Sequence, residues 1–214
     1  RMRPWHGINF LASYTYGDAC DHVSGLNISG ENRPVLPITL GDEGSLEAAL
    51  AQEKGPALFD VRHRFVFSFG VELPKLQDKS QALRAILGGW QLNGIFQAQT
   101  GFPLTVTDSV LALSGLTNRP EMTCDPNSGA PHAVPTSSAD LLTAKWFNTS
   151  CFTRRPAANT AGLSSQSRNA VRGPGFSRTD LSIFKNIGFS KNRQIQIRIE
   201  GFNIFDQERW GQPV

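Results

Sequence analysis

A cluster of ionisable side chains at residues 60–64 is the part of the sequence best suited to acid–base chemistry. It consists of Asp60, Val61, Arg62, His63 and Arg64. A histidine that is oriented by a nearby carboxylate can act as a general base. Alternatively, these residues form a charged rim at the outer end of a strand, where neighbouring groups satisfy them. We favour the rim, because no nucleophile motif lies near the cluster.

The other residue types that could do chemistry lack the spacing that chemistry requires. The sequence has no G-x-S-x-G motif, and Ser164 lies in plain loop sequence. Gly173-Pro174-Gly175 is a turn former, because no helix is predicted after it to complete a phosphate cradle. The remaining histidines have no metal-ligand spacing to one another: His6, His22 and His132. We therefore predict no enzyme, no cofactor and no metal site.

The three cysteines suggest one disulfide. Cys124 and Cys151 bracket a polar, Pro-rich stretch, whereas Cys20 stands apart. If that stretch lies outside the cytoplasm, a Cys124–Cys151 bond that closes a surface loop is the natural interpretation. The alternative is three unpaired thiols.

The composition excludes several classes of protein. The formal charge is only +3 and charged residues make up 18% of the chain. The sequence has no run of basic residues, so we predict no nucleic-acid partner. It also has no apolar run of roughly eighteen residues, so no transmembrane helix is predicted. The 20 glycines and 13 prolines indicate many turns.

Five stretches alternate between apolar and polar residues, which predicts antiparallel β-strands. The clearest is the last, where Ile195, Ile197 and Ile199 alternate with Gln196 and Arg198. A face that carries charges of both signs belongs in water or in a polar lumen, and an apolar face opposite it is typical of a membrane β-barrel. The five alternating stretches are also long enough for strands that cross a bilayer. We predict strands near residues 7–16, 62–73, 90–101, 178–189 and 193–204.

The polar side of these strands supplies the candidate functional residues. In a barrel they would face the lumen and touch a plug or a passing substrate, although such residues more often form a ladder of charges along the inner wall. The candidates are Arg64, Glu72, Gln91, Asn93, Gln97, Arg198 and Glu200.

The connections between the predicted strands alternate between long and short. Residues 17–59 and 103–176 are long and irregular, apart from a helical candidate at 44–54 that Ser45 could cap. Residues 74–88 and 190–193 are shorter. Outer-membrane barrels have long extracellular loops and short periplasmic turns, so we predict that the two long connections are extracellular.

Eight short sequence motifs, here called phrases, occur along the chain in a characteristic order. Together they resemble the C-terminal part of TonB-dependent receptor-like outer-membrane proteins of the Oar-like group, whose members carry an N-terminal carboxypeptidase-regulatory-like domain. The resemblance covers nearly the whole chain. The phrases are residues 12–16 (ASYTY), 59–65 (FDVRHRF), 87–94 (LGGWQLNG), 99–103 (QTGFP), 146–149 (WFNT), 172–176 (RGPGF), 180–186 (DLSIFKN) and 200–205 (EGFNIF).

This resemblance implies a barrel of about twenty-two strands with an internal plug and a TonB box, located in the outer membrane of a Gram-negative bacterium. Residues 1–214 would be a partial barrel domain of about five strands, without the plug or the final strand. The implied partners are outer-membrane lipid, the rest of the barrel and its plug, TonB through the plug region, and an imported ligand of unknown identity.

Two functions follow as expectations. The first is a fragment of an outer-membrane receptor for energised uptake, without catalysis. The second is a soluble β-rich hydrolase or carbohydrate-binding protein derived from such a reading frame. A convergent set of catalytic residues would favour the second, and the sequence shows none.

Overall fold

The protein divides into two compact units, each assembled from separate stretches of chain. The computed structural model describes residues 7–24, 43–74, 76, 78, 80–108, 119–140, 143–154, 164–190 and 193–211. The sheet unit holds the described residues of Arg1–Tyr16, His63–Gln99 and Phe176–Arg209. The loop unit holds those of Gly17–Arg62, Thr100–Gly175 and Trp210–Val214.

The regular structure of the described residues is mainly β. The strands are β1 (Ile8–Tyr16), β2 (Cys20–Asp21), β3 (Gly55–Pro56), β4 (His63–Glu72), β5 (Trp90–Gln99), β6 (Pro103–Leu104), β7 (Glu121–Met122), β8 (Phe152–Thr153), β9 (Val171–Arg172), β10 (Phe176–Ser190) and β11 (Arg193–Gly201). The helices are α1 (Glu43–Glu53), α2 (Gln81–Leu87) and a short 3-10 helix at Thr149–Cys151.

Five long strands form the antiparallel sheet of the sheet unit, in the order β1-β4-β5-β10-β11. The order follows the chain, as in an up-and-down barrel wall. In the described residues the sheet is open, with β1 and β11 at its two edges. The predicted all-β antiparallel class is thus confirmed, and the barrel of about twenty-two strands stays a prediction.

The predicted strands coincide with the observed ones except at their ends. The largest difference is in β11, which stops at Gly201 rather than at residue 204. Asn203 takes a left-handed conformation there, with φ of 50°. Its backbone N–H donates to the carboxylate of Asp180 at 2.9 Å, and the next backbone N–H, that of Ile204, donates to the carbonyl of Thr179 in β10 at 3.0 Å. A side-chain bond therefore interrupts the regular ladder, although the chain still contacts β10.

The strand register places the predicted apolar residues on one continuous face. Phe67 of β4 lies opposite Phe96 of β5, and Phe96 lies opposite Thr179 of β10. Many side chains of this face are exposed, as a lipid-facing surface requires. They include Ile8, Phe10, Tyr14, Phe65, Ile183, Ile195, Ile197 and Ile199.

Gly94 lies in the middle of this apolar face, between Phe69 of β4 and Leu181 of β10. A Cβ atom at Gly94 would lie 2.4 Å from Cε1 of Phe69 and 2.6 Å from Cδ2 of Leu181. The two larger side chains therefore fill the space above the glycine. This packing accounts for a glycine inside a strand, where it would otherwise weaken the sheet.

We expect Gly94→Val to destabilise the sheet by about 1–3 kcal/mol, because Phe69 and Leu181 must leave their positions. The free energy of urea unfolding in detergent measures the effect. Gly188→Val in β10 is the control, since no described atom lies within 4 Å of a Cβ built there. Equal losses in both variants would contradict this account of Gly94.

Lys185 interrupts the apolar face, and its position near a predicted membrane boundary suggests a side chain that snorkels to water. The structure instead buries it. Its Nζ donates to the backbone carbonyls of Ile86, at 3.1 Å, and of Gly88, and lies 4.9 Å from the centre of the Trp90 ring. The carbonyls and the aromatic ring together replace the water that the ammonium group has lost.

The two long connections, which look irregular in the sequence, together make the loop unit. Their short strands pair as β2 with β3, β6 with β9 and β7 with β8. The helical candidate is α1, but the helix begins at Glu43. Ser45 therefore lies inside the helix, and its predicted role as the cap is wrong. Among the described residues, no helix is long and apolar enough to span a bilayer.

Candidate functional site

The seven candidate lumen residues lie on one face of the sheet, opposite the apolar face. The register pairs Glu72 with Gln91, and Asn93 with Ser182, which in turn lies opposite Glu200. Arg64, Gln97 and Arg198 have the same parity. That this face lines a barrel lumen stays a prediction.

Side chains of this polar face bind one another across and along the strands. Gln91 Nε2 donates to Asn93 Oδ1 at 3.1 Å. Arg198 pairs with Glu200 at 3.5 Å, and its guanidinium lies 4.4 Å from the centre of the Phe184 ring. Phe184 breaks the polar pattern in the sequence, but here it is the platform for Arg198. The result is a ladder of amides and paired charges that can exchange hydrogen bonds with water or a polar partner.

The densest polar cluster of the sequence is divided between the two units, with Asp60 in the loop unit and His63 in the sheet unit. Asp60 is only 1% exposed, and neighbouring groups satisfy it. It accepts from the backbone N–H of Ala19 at 3.0 Å and binds the guanidinium of Arg172. Nδ1 of His63 forms a hydrogen bond with the hydroxyl group of Tyr14, with the two atoms 2.8 Å apart. The donors that surround Asp60 make it a structural carboxylate.

Arginine–carboxylate pairs, each with at least one buried side chain, hold the two long connections together in the loop unit. In each pair the arginine comes from 100–175 and the acidic residue from 17–62. Arg119 binds Glu53 at 2.5 Å, and both side chains are almost fully buried. The other two pairs are Arg168 with Asp21 and Arg172 with Asp60. Sequence reasoning missed these pairs, since nothing in the spacing of the arginines reveals a partner so far away in the chain.

Backbone contacts reinforce these pairs. Arg168 Nε also donates to the carbonyl of Glu53 at 3.2 Å, and Asn169 Nδ2 donates to the carbonyl of Pro56 at 2.7 Å. A Cβ atom at Gly101 would lie 1.9 Å from the carbonyl oxygen of Gly173. The backbones at Gly101 and Gly173 thus pass closer than any side chain permits, so the loop unit is a packed structure.

Burial opposes the ionised form of Asp60, but hydrogen bonds and nearby charges outweigh it. The Ala19 N–H, the hydrogen bond from Arg172 and the charges of Arg172 and Arg62 together hold the pKa of Asp60 below its ordinary value of 3.8. Asp60 is therefore ionised at neutral pH and needs its cationic partner.

Cys124 and Cys151 form a disulfide in the loop unit, with Cα atoms 5.0 Å apart and a sequence separation of 27. Cys151 is fully buried. Its carbonyl accepts from the backbone N–H of Thr123 at 2.8 Å, beside the β7–β8 pair. Cys20 is an exposed free thiol.

Replacing both cysteines with serine should destabilise the loop unit by about 3–4 kcal/mol, because the unfolded state regains the entropy of an open loop. Hydrogen exchange of the loop unit, with and without reductant, measures this loss. Peptide mass spectrometry of the unreduced protein checks the bond itself. Free thiols at both positions would contradict the assignment, and Cys20→Ser is the control that should change neither result.

The fold and these sites define a class of protein. The sheet runs up and down, exposes one apolar face and carries hydrogen-bonded amides and paired charges on the other face. These features are typical of the wall of an outer-membrane β-barrel. Among the described residues, no group of histidine, cysteine and acidic side chains could hold a metal ion.

Comparison with known families agrees with this class. The profile of the outer membrane beta barrel domain matches residues 1–214, and the chain belongs to that family. It is thus an outer-membrane protein of a bacterium. No curated protein and no solved structure matches the chain.

Proposed function

We propose that this chain is the C-terminal barrel segment of a TonB-dependent receptor that takes up a ligand across the outer membrane. The observation that carries the proposal is the five-strand wall with one lipid-type face and one laddered polar face, joined by two long connections that pack into an ordered unit. The ordered phrases of the Oar-like group narrow the class from a general barrel to this kind of receptor.

The proposed partners follow from the surfaces of the sheet unit. Outer-membrane lipid covers the apolar face, and the rest of a barrel of about twenty-two strands pairs with the open edges of β1 and β11. A plug contacts the polar face and connects the receptor to TonB. The receptor acts by binding and transport, without catalysis. The Asp60 carboxylate is bound by the backbone N–H of Ala19 and by Arg172, so its role in this proposal is to stabilise the loop unit. A loss of turnover of about 100-fold in His63→Ala would contradict the absence of catalysis.

Binding to TonB tests the proposal without knowledge of the ligand. The full-length gene product, purified in detergent, should bind the periplasmic domain of TonB from the same organism. Deleting its TonB box should abolish the binding, while replacement of an exposed residue such as Lys145 should not. A full-length product that has no plug and does not bind TonB would overturn the receptor assignment.

The orientation of the loop unit gives a second test. Because the long connections are proposed to be extracellular, the exposed Cys20 thiol should react with a membrane-impermeant maleimide on intact cells. Cys20→Ser should remove the label. Labelling that appears only after the outer membrane is opened would place this unit on the periplasmic side and contradict the proposed topology.

A further inference from the structure

The short helix α2 ends at one end of the apolar face of the sheet unit. Trp90, the first residue of β5, lies opposite Lys185 of β10 on that face. Trp90 Nε1 donates to the carbonyl of Ile86 at 2.8 Å, and Lys185 Nζ donates to the same carbonyl at 3.1 Å. Two side chains of the apolar face thus hold the last turn of α2, so this turn lies on the apolar side of the wall.

The chain between α2 and β5 is fixed against β10. The carbonyl of Gly88 accepts from Lys185 Nζ, and the carbonyl of Gly89 accepts from the backbone N–H of Asn186 at 2.9 Å. Gly89 has a φ of 73°, and a Cβ atom there would lie 2.7 Å from the carbonyl oxygen of Asn186. The ammonium group near the C-terminus of the helix also complements the helix dipole. These bonds attach the end of α2 to the sheet and give it a defined position there.

The apolar side chains of α2 are exposed. Leu83 is 44% exposed, Ile86 is 66% exposed and Leu87 is 54% exposed. Their spacing places all three on one side of the helix. Ala85 is exposed as well, but it lies on the opposite side, because successive residues of a helix are about 100° apart. Removing three large apolar side chains from water is favourable, so this side of α2 is suited to an apolar partner.

Lipid is the partner that best continues the apolar face. The helix reaches that face at its end, at Trp90 and Lys185. The Lys185 side chain is buried, so its charge does not interrupt the apolar surface. Tryptophan is typical of the level at which a barrel wall meets the lipid headgroups. In sequence, the connection at 74–88 has three basic residues and one acidic residue, namely Lys75, Lys79, Arg84 and Asp78. Basic residues in a segment with an apolar helix suit an interface that carries phosphate groups.

We propose that α2 lies in the membrane interface and inserts Leu83, Ile86 and Leu87 among the acyl chains of phospholipid. The leaflet is the one that borders this end of the wall. With the long connections outside the cell, it is the periplasmic leaflet of the outer membrane. Trp90 and Lys185 hold the helix at that level, so α2 anchors this end of the wall in the bilayer. This inference depends on the outer-membrane class of the chain, and it does not depend on uptake or on TonB.

The accessibility of nitroxide labels, measured by electron paramagnetic resonance, tests the proposal. The full-length protein with Cys20→Ser is placed in vesicles of phosphatidylethanolamine and phosphatidylglycerol. Labels are attached to Leu83→Cys, Ile86→Cys or Ala85→Cys, and the protein without an added cysteine gives the background. Molecular oxygen concentrates in the bilayer, whereas a nickel chelate stays in water. Relative to the Ala85→Cys label, the other two labels should be severalfold more accessible to oxygen and severalfold less accessible to the chelate.

A label on Phe67→Cys, in β4 on the apolar face, supplies the reference for a lipid-facing position. If that label meets oxygen while the Leu83→Cys and Ile86→Cys labels meet the chelate, α2 lies in water and the proposal is wrong. If the two helix labels are shielded from both reagents, a protein surface such as a second copy of the chain covers them, and the proposal is also wrong. A Phe67→Cys label that meets the chelate would overturn the lipid-facing wall and this inference with it. Loss of TonB binding alone would leave the inference standing.

Discussion

Arginine at both Phe67 and Phe69 should remove the protein from the outer membrane. Both side chains lie on the apolar face, in the middle of β4. A lipid-facing arginine near the bilayer midplane costs about 2–4 kcal/mol, so the pair should cost about 4–8 kcal/mol. A loss of that size is comparable to the whole unfolding free energy of many folded domains, about 5–15 kcal/mol. The amount of full-length receptor in the outer-membrane fraction, and its heat-modifiable migration on gels, report the effect.

The matched control places the same two charges on the other face of the same strand. Val66→Arg with Ser68→Arg adds arginines at the positions directly before those two phenylalanines, but on the polar face. This variant should still reach the outer membrane, because the polar face already carries Arg64 and Arg198. If both double variants assembled equally well, the assignment of Phe67 and Phe69 to lipid would be wrong.

Arg172→Ala should destabilise the loop unit by about 2–4 kcal/mol, because it leaves a buried carboxylate without its main cation. Arg172 binds the Asp60 carboxylate and also donates to the Asp60 carbonyl at 3.0 Å. Hydrogen exchange of residues 17–24 and 55–62 in the membrane-embedded receptor measures the loss.

Arg62→Ala is the control for Arg172→Ala. Arg62 lies 3.8 Å from the same carboxylate but is 34% exposed. Its removal should cost at most about 1 kcal/mol, as for other partly exposed ion pairs. If this variant loosened the loop unit as much as Arg172→Ala does, Arg172 would not be the main partner of Asp60.

The same pair gives the loop unit a sensitivity to acid. Since the pKa of Asp60 is lowered from 3.8 by folding, its contribution to stability is present above that value and is lost as the pH falls through the lower pKa of the folded state. Exchange protection of the loop unit should therefore decrease below about pH 4. Arg172→Ala should reduce this dependence on pH. If the exchange protection of Arg172→Ala varied with pH as that of the unchanged protein does, Asp60 and Arg172 would not be the source of the acid sensitivity.

Much of the sheet unit is determined by the sequence alone. A period of two in side-chain polarity fixes which residues share a face, because successive residues of a strand point to opposite sides. The alternation alone therefore assigns Phe67 and Ile199 to the apolar face of the sheet and Glu200 to the polar face. Strand ends were less predictable. β11 ends early because Asp180, distant in sequence, binds the backbone of Asn203, and no local pattern reveals that bond.

The exceptions to the pattern were visible in the sequence, but their explanations were not. Lys185 and Phe184 each stand on the face opposite to the one that their polarity predicts. Their partners, the carbonyl of Gly88 for Lys185 and the guanidinium of Arg198 for Phe184, become neighbours only when the strands pair. A contact of this kind depends on register, which is a property of the whole sheet.

The loop unit was determined almost entirely by tertiary structure. The sequence by itself marked residues 17–59 and 103–176 as long and irregular, and it singled out Cys124 and Cys151 by their surroundings. It did not indicate that these stretches form one packed unit, because periodicity reports burial within regular elements and these stretches have few. What joins them is a set of arginine–carboxylate pairs between residues far apart in the chain. Such pairs depend on the approach of two backbones, which only the folded chain decides.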